Sequence, residues 1–288
     1  MGTSNAFGGP GNNTPLIPTW LEPATPELPA APESPLPDKG EQEVPTNPTE
    51  ANPPAPQTLT PYRFRAARTN MTNFASSGNS ASLGRAVSNY VSTSSGGARR
   101  AARKMGSSRK SGAQLLNFLS NTVARGAKDA LQTLHLQNLA GRPIGEIFLG
   151  MIDYVCPDGG TIDEGIARDA FIETIADLAE NGITDLDALN SDQMQTVFEL
   201  YVTHTIVDRI YNDIGTKAIQ VPTDVGMAVQ IQNQLYDFIR RGVADTLTSA
   251  DSDMQSLTID RVQGFVDQVY ESAFEIIQRL GELEVTGI

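Results

Sequence analysis

The chain has one cysteine and one tryptophan, and over one long stretch it has no acidic residue at all. Because Cys156 stands alone, no disulfide can close within the chain and no cysteine cage can hold a metal, which fits a reducing compartment. Long apolar runs are also missing: nothing approaches the roughly 20 residues that cross a bilayer, and the first residues lack the charged start and apolar centre of a secretory signal. A cytoplasmic protein with no membrane partner is expected. The marks of catalysis are equally scarce. No G-x-x-x-x-G-K-[ST] is present, and Gly8, Gly9 and Gly11 do not stand between a strand and a helix as a phosphate loop requires. His135 and His204 fall in separate helical stretches without ligand spacing and read as partly buried helix residues. The run from Asp158 to Glu164 lacks the third and fifth ligands of a calcium loop and reads as a turn and a helix cap. Cys156, between Val155 and Pro157, has no basic neighbour to activate it and reads as a buried structural thiol. No residue set nominates an enzyme, and no metal or resident cofactor is expected.

What the chain does have is a strict segregation of charge. Residues 1–61 hold 15 of the 18 prolines and seven acidic side chains against one lysine; residues 62–128 hold twelve Arg or Lys and no acid; the remainder holds 27 acidic residues and eight basic. The net charge of −13 therefore conceals a basic middle. Three segments follow, and the fold class is mainly α: a disordered, acidic, Gly/Pro-rich arm (1–61), a basic Ser/Gly/Arg-rich low-complexity linker (62–112) and an all-α domain (113–288). In the arm, Pro23, Pro26, Pro29, Pro32 and Pro35 recur every third residue, the period of a left-handed polyproline helix. The rod is a spacer or a docking segment for an aromatic-lined groove. In the basic segment, Arg63, Arg65, Arg68, Arg99, Arg100, Arg103 and Lys104 alternate with Tyr62, Phe64, Phe74 and Tyr90. That pattern suits phosphate contacts with base stacking, and it equally suits neutralisation of the acidic domain or of an acidic partner. Apolar content there is too low for an independent core, although SLGRAVSNYV can form a short helix against something else.

From Ala113 the period turns helical. Leu115, Leu119, Val123, Ala127, Ala130 and Leu134 share one stripe. After Gly141 to Pro143 the run from Ile144 to Val155 predicts a buried helix. Thr161 and Glu164 form a capping box for a helix ending at Asn181 and Gly182. Ser191 is the expected N-cap of a helix apolar nearly all round, and therefore central. Two further helices are expected, Thr223 to Leu247 and Thr258 to Leu283.

The beginning, MGTSNAFGGPGNNTPLIPTW, offers little to pack but much to reach. Removal of Met1 would expose the α-amine of Gly2, whose unperturbed pKa near 8 against about 10.4 for lysine makes its nucleophilic fraction on the order of a hundredfold larger at neutral pH. N-myristoylation would use the same amine, but its motif needs Ser or Thr where Ala6 stands.

MGTSNAFGGPG with TPLIPTW, then YRFRAARTN, SASLGRAVSNYV and GGARRAARKMGSSR ahead of a helical domain, resembles the QatB family of bacterial Qat anti-phage defence systems. The resemblance implies an operon shared with an ATPase, a QueC-like enzyme and a TatD-like nuclease. It further implies that Gly2 is the acceptor for ATP-dependent conjugation of a deazaguanine base by the QueC-like partner, a covalent modification rather than a bound cofactor. Thr3, Ser4 and Asn5 would then follow the acceptor into that enzyme's pocket, with Phe7 or Trp20 as anchors. The rival expectation is an adaptor that uses residues 62–112 to bring nucleic acid to the nuclease.

Overall fold

The structure, a computed structural model, describes residues 62–286 apart from 158, 215–224, 251–253, 255 and 256. The expectations for residues 1–61, including the proline rod, Gly2, Thr3, Ser4, Asn5, Phe7 and Trp20, lie outside the described residues. Every regular element among those described is a helix: α1 (Arg65–Ser77), α2 (Ser80–Asn89), α3 (Ala98–Arg103), α4 (Gly106–Arg125), α5 (Ala127–Thr133), α6 (Ile144–Gly150), α7 (Ile152–Val155), α8 (Ile162–Glu180), α9 (Ser191–Ile214), α10 (Val225–Ser249) and α11 (Val262–Thr286). A π-turn at Tyr90–Ser94 extends α2, and 3-10 turns lie at Gln137–Leu139 and Ile259–Arg261.

Helix α9 is the axis of the fold. Its residues from Leu200 to Val207 are all buried, so no polar face is left, and α4, α8 and α10 pack around it. A helix apolar on every side must be covered on every side. Helix α11 packs against α10 and α4 and carries α2 and α3, and its Tyr270 hydroxyl lies 2.8 Å from Thr205 Oγ1 of α9.

The basic segment is no linker. Residues 62–112 fold into α1 to α3 and the first turns of α4, so the expected boundary at 112 falls inside a helix and all described residues belong to one compact unit. Small side chains explain why its low apolar content did not prevent this. SLGRAVSNYV does form a helix against something else, and the something is α11. A Cβ on Gly84 would sit 2.6 Å from the carbonyl oxygen of Gly281, and one on Gly281 would sit 2.5 Å from that of Gly84. The two backbones touch with no side chain between them, and Ala86 and Val87 beside the crossing are fully buried.

Local chemistry sets most boundaries. The capping box at Thr161 is formed: Glu164 N–H donates to Thr161 Oγ1 at 3.2 Å, and Thr161 N–H donates to Glu164 Oε2 at 2.8 Å. Asn190, rather than Ser191, caps α9, with Gln193 N–H donating to its Oδ1 at 2.9 Å. The stripe from Leu115 to Leu134 is broken at Gly126, whose φ of +90° turns the chain between α4 and α5, and Val123 is exposed. The apolar run from Ile144 breaks at Met151 into α6 and α7. His135 is not helical; it occupies a left-handed turn after α5 with φ +58°. On α11, Val262, Phe265, Val266, Val269, Tyr270, Ala273, Phe274 and Ile277 are buried.

Candidate functional site

Two helix ends bind the basic region to the acidic one. Helix α4 starts at Gly106 with no side-chain cap and no acid in its first turn. Asp163, from the first turn of α8, does the capping instead: its carboxylate accepts from the backbone N–H groups of Ser107 and Ser108 and, at 3.0 Å, from Ser108 Oγ. Helix α9 ends without a base in its last turn. Arg68 of α1 supplies one, donating through Nε to the Ile214 carbonyl at 2.6 Å and through Nη2 to that of Asp213 at 3.3 Å. Exposed amides at a helix start and exposed carbonyls at its end each favour the charge that meets them here. Between the two ends Arg209 reaches Asp163 at 3.8 Å and Asp213 at 3.3 Å, and the Tyr90 hydroxyl donates to Asp213 at 2.9 Å. Burial first, and Asp213 second, pushes the Tyr90 phenol far above its ordinary range.

Above this cluster three predicted contact residues converge on one ring. The guanidinium carbons of Arg63 and Arg68 lie 4.7 and 5.5 Å from the Phe64 centroid, and Lys104 Nζ lies 5.9 Å from it. Phe64 in turn stacks on Tyr90 at 6.2 Å. Arg63 Nη1 and Lys104 Nζ are both shielded from solvent and have no hydrogen-bond acceptor. Burial, then the nearby Arg63, lowers the Lys104 pKa. A cation over a ring gains about 0.5–2 kcal/mol, whereas an uncompensated buried charge costs several kcal/mol even after relaxation. The ring alone does not balance these two cations.

The other predicted cations point elsewhere. Arg99 faces Glu271 at 4.0 Å across a cleft of about 520 Å³ between α3, α4 and α11. Arg103 and Arg109 line its basic wall; Asp267, Glu271 and Glu275 line the acidic one. Arg109 crosses to Asp267 at 2.7 Å. Arg65 is exposed on α1, and Arg100 is engaged by neighbours near Gly96. The interleaved aromatics do not form a stacking platform: Phe74 and Tyr90 are in the core, Phe64 is half-buried, and Tyr62 alone of the four is exposed.

Cys156 and His204 are both engaged by the fold. Cys156 is buried, its thiol donating to the Ala167 carbonyl at 3.3 Å, and burial pushes its pKa up to about 11. His204 is clamped between α8 carboxylates, Nδ1 to Glu173 at 2.7 Å and Nε2 to Asp177 at 2.8 Å, with Tyr236 of α10 against its ring. Burial alone would depress its pKa, but the hydrogen bonds and charges of Glu173 and Asp177 outweigh that and raise it. With both nitrogens engaged, no lone pair is left for a general base. One turn on, Asp208 was not singled out by the sequence: burial, then Glu173 and Asp169, raises its pKa to about 7, and its Oδ2 is buried without a partner. Among the described residues no group of side chains could hold a metal ion, and no helix is long and apolar enough to cross a membrane.

No curated protein and no solved structure matches the chain. A family model does match: that of the Qat anti-phage system associated protein QatB, over residues 96–277, from the Gly96–Gly97 loop before α3 to the buried Ile277 of α11. That span covers more than half of the sequence, from α3 into α11, and so the chain belongs to the QatB family, a component of the Qat anti-phage defence system that works with the other Qat proteins.

Proposed function

We propose that this chain is the non-catalytic acceptor component of its defence system. Gly2, freed of Met1, receives a deazaguanine base from a QueC-like partner while the helical unit docks a Qat protein. The chemistry is that of amide formation. ATP activates the base's carboxylate, the Gly2 amine attacks the carbonyl carbon and gives up a proton, and the activating group leaves. Gly2 suits this role because the neutral, nucleophilic fraction of its α-amine is far larger than a lysine's at neutral pH, and it carries no side chain beside it. Thr3, Ser4 and Asn5 enter the partner's pocket behind it, with Phe7 or Trp20 as anchors.

The observation that most favours this reading over a nucleic-acid adaptor is where the cations of residues 62–112 go. Arg63 and Lys104 turn inward onto Phe64, Arg68 completes α9, and Arg99 faces Glu271. Arg65, Arg85, Arg100, Arg103 and Lys110 stay at the surface, spread over four helices. The test is intact and N-terminal-peptide mass spectrometry of the chain produced alone and beside its operon partners. An added mass on Gly2 only in the second sample, lost when the QueC-like enzyme is inactivated, is expected. An unmodified Gly2 in cells where defence works would overturn the reading. In that case steeply salt-dependent DNA binding, lost on replacing Arg65, Arg100 and Arg103 by alanine, would establish the adaptor.

A further inference from the structure

The cleft between α3, α4 and α11 has a property that neither the fold nor the acceptor role explains. Its two walls carry opposite charge and are only partly matched to each other. Arg109 closes on Asp267 at 2.7 Å, and Arg99 stands 4.0 Å from Glu271. Arg103 on the basic wall and Glu275 on the acidic one are both exposed, and neither forms an ion pair with any described residue. Each copy of the chain thus leaves one cation and one anion unused in the same cleft. We propose that this face binds a second copy of the chain, Arg103 of each copy meeting Glu275 of the other.

Symmetry selects that occupant. In a two-fold interface residue i meets residue j while j meets i, so the surface must be complementary to itself. A two-fold axis laid along the cleft exchanges its sides, and the basic wall of one copy then faces the acidic wall of the other. A partner of one sign would instead meet attraction from one wall and repulsion from the other. Shape agrees with charge. Gln268, Ser272 and Glu275 line both this cleft and a second hollow of about 260 Å³ on the α10 side of α11, so the three form a ridge with a depression on each flank. Ridges of one helical surface pack into the grooves of another. Phe265, Val269 and Ile276 give the second hollow an apolar floor, which suits the aliphatic stem of an arginine reaching over the ridge toward Glu275.

Sedimentation velocity of the full chain, over a hundredfold range of micromolar concentrations at physiological salt, tests the site. It is run on the parent, on Arg103→Glu, on Glu275→Arg and on an equimolar mixture of these two variants. Expected are a reversible monomer–dimer equilibrium for the parent and a dissociation constant raised at least tenfold for each variant alone. The mixture should recover dimers close to the parental constant, because the reversed charges oppose each other again across the axis. A mixed dimer carries the same net charge as the parent dimer, so its recovery reports the pairing and not the total charge. Glu275→Arg makes the chain less acidic, and tighter dimers than the parent's from that variant would mean that net repulsion decides association, which would overturn the site. A parent that stays monomeric throughout, leaving the cleft to a different partner, would overturn it too, as would a mixture that dimerises no better than its components. Should a reversed variant melt below the parent, the neutral variants Arg103→Gln and Glu275→Gln decide in its place: each weakens the dimer at least threefold, and parental dimers from both refute the pairing. None of these outcomes depends on whether Gly2 is modified.

Discussion

The start of α4 and the end of α9 are opposite cases of one problem. Helix α4 lies in a stretch with no acid, so its exposed amides have no local carboxylate; α9 lies in a stretch poor in base, so its exposed carbonyls have no local cation. Each is completed from the other region, α4 by Asp163 and α9 by Arg68. Segregating charge along a chain removes the short-range solutions to helix capping and leaves the long-range ones. The basic stretch is thereby bound into the fold by the composition that made it look like a separate arm. A third junction, where Gly84 meets Gly281, involves no charge at all, and it separates what packing contributes from what the exchanged charges contribute.

The largest effect is expected there. In Gly84→Leu a side chain must enter a space where even a Cβ would lie 2.6 Å from backbone oxygen, so α2 cannot seat on α11. Overpacking of this kind costs about 3 kcal/mol or more. Urea denaturation followed by circular dichroism should show a large fall in midpoint or no cooperative transition, and parental stability would mean that the seam is not what joins the regions. Asp163→Ala comes next. Loss of an N-cap costs about 0.5–2 kcal/mol, and here the side chain is mostly buried and also faces Arg209, so about 2 kcal/mol by the same denaturation is expected, with Asp163→Asn recovering part of it.

These two junctions also show what was legible in the sequence. Thr161 with Glu164 and the all-round apolar α9 are local patterns, and each stands in the fold where its pattern put it, whereas the stripe after Ala113 belongs to a helix that starts at Gly106 and breaks at Gly126. The seat of α1 to α3 was not legible from the same kind of reasoning. Its buried face mixes Met71, Phe74, Leu83 and Val87 with alanines and Gly84, and the seat depends on a backbone approach that only the partner helix reveals. A helix start at Gly106 without cap or acid was a usable sign that a carboxylate comes from elsewhere. Nothing in the sequence said that it is Asp163. Of the cations expected to contact nucleic acid or an acidic partner, Arg63, Arg68, Arg99 and Lys104 have contacts inside the protein. The cations that converge on Phe64 come from elements whose meeting no spacing encodes.

The acidic region has an internal consequence of the same segregation. Asp208 faces Glu173 and Asp169 of α8, with His204 as a cationic neighbour and Tyr211 beside it on α9. Its folded pKa, about 7, lies above the unfolded value, so the native state holds its proton longer than the unfolded chain does. Stability from this group is complete below the unfolded pKa near 4 and is lost as pH rises through about 7. His204, also raised, acts in the same direction over the upper part of that window. Asp208→Asn should leave stability near pH 4 unchanged and gain about 1–2 kcal/mol over the parent by pH 8, allowing for partial solvent screening. A stability difference that stays flat between pH 4 and 8 would refute the assignment.

The smallest effects distinguish a charge that completes a helix from one that only faces its opposite. Arg68 and Arg99 are both exposed arginines of the basic region directed at the acidic one, but Arg68 donates to two terminal carbonyls of α9, whereas Arg99 is 71% exposed and 4.0 Å from Glu271. A cation at a helix end contributes about 0.3–1 kcal/mol, and surface ion pairs often contribute nothing measurable. Arg68→Met, which keeps the apolar stem, should therefore lower stability by about 1 kcal/mol, with faster amide exchange in the last turn of α9; Arg99→Met should change neither. Equal losses from the two would mean that general attraction between the oppositely charged regions holds them together, and the exchange of helix ends would then be incidental.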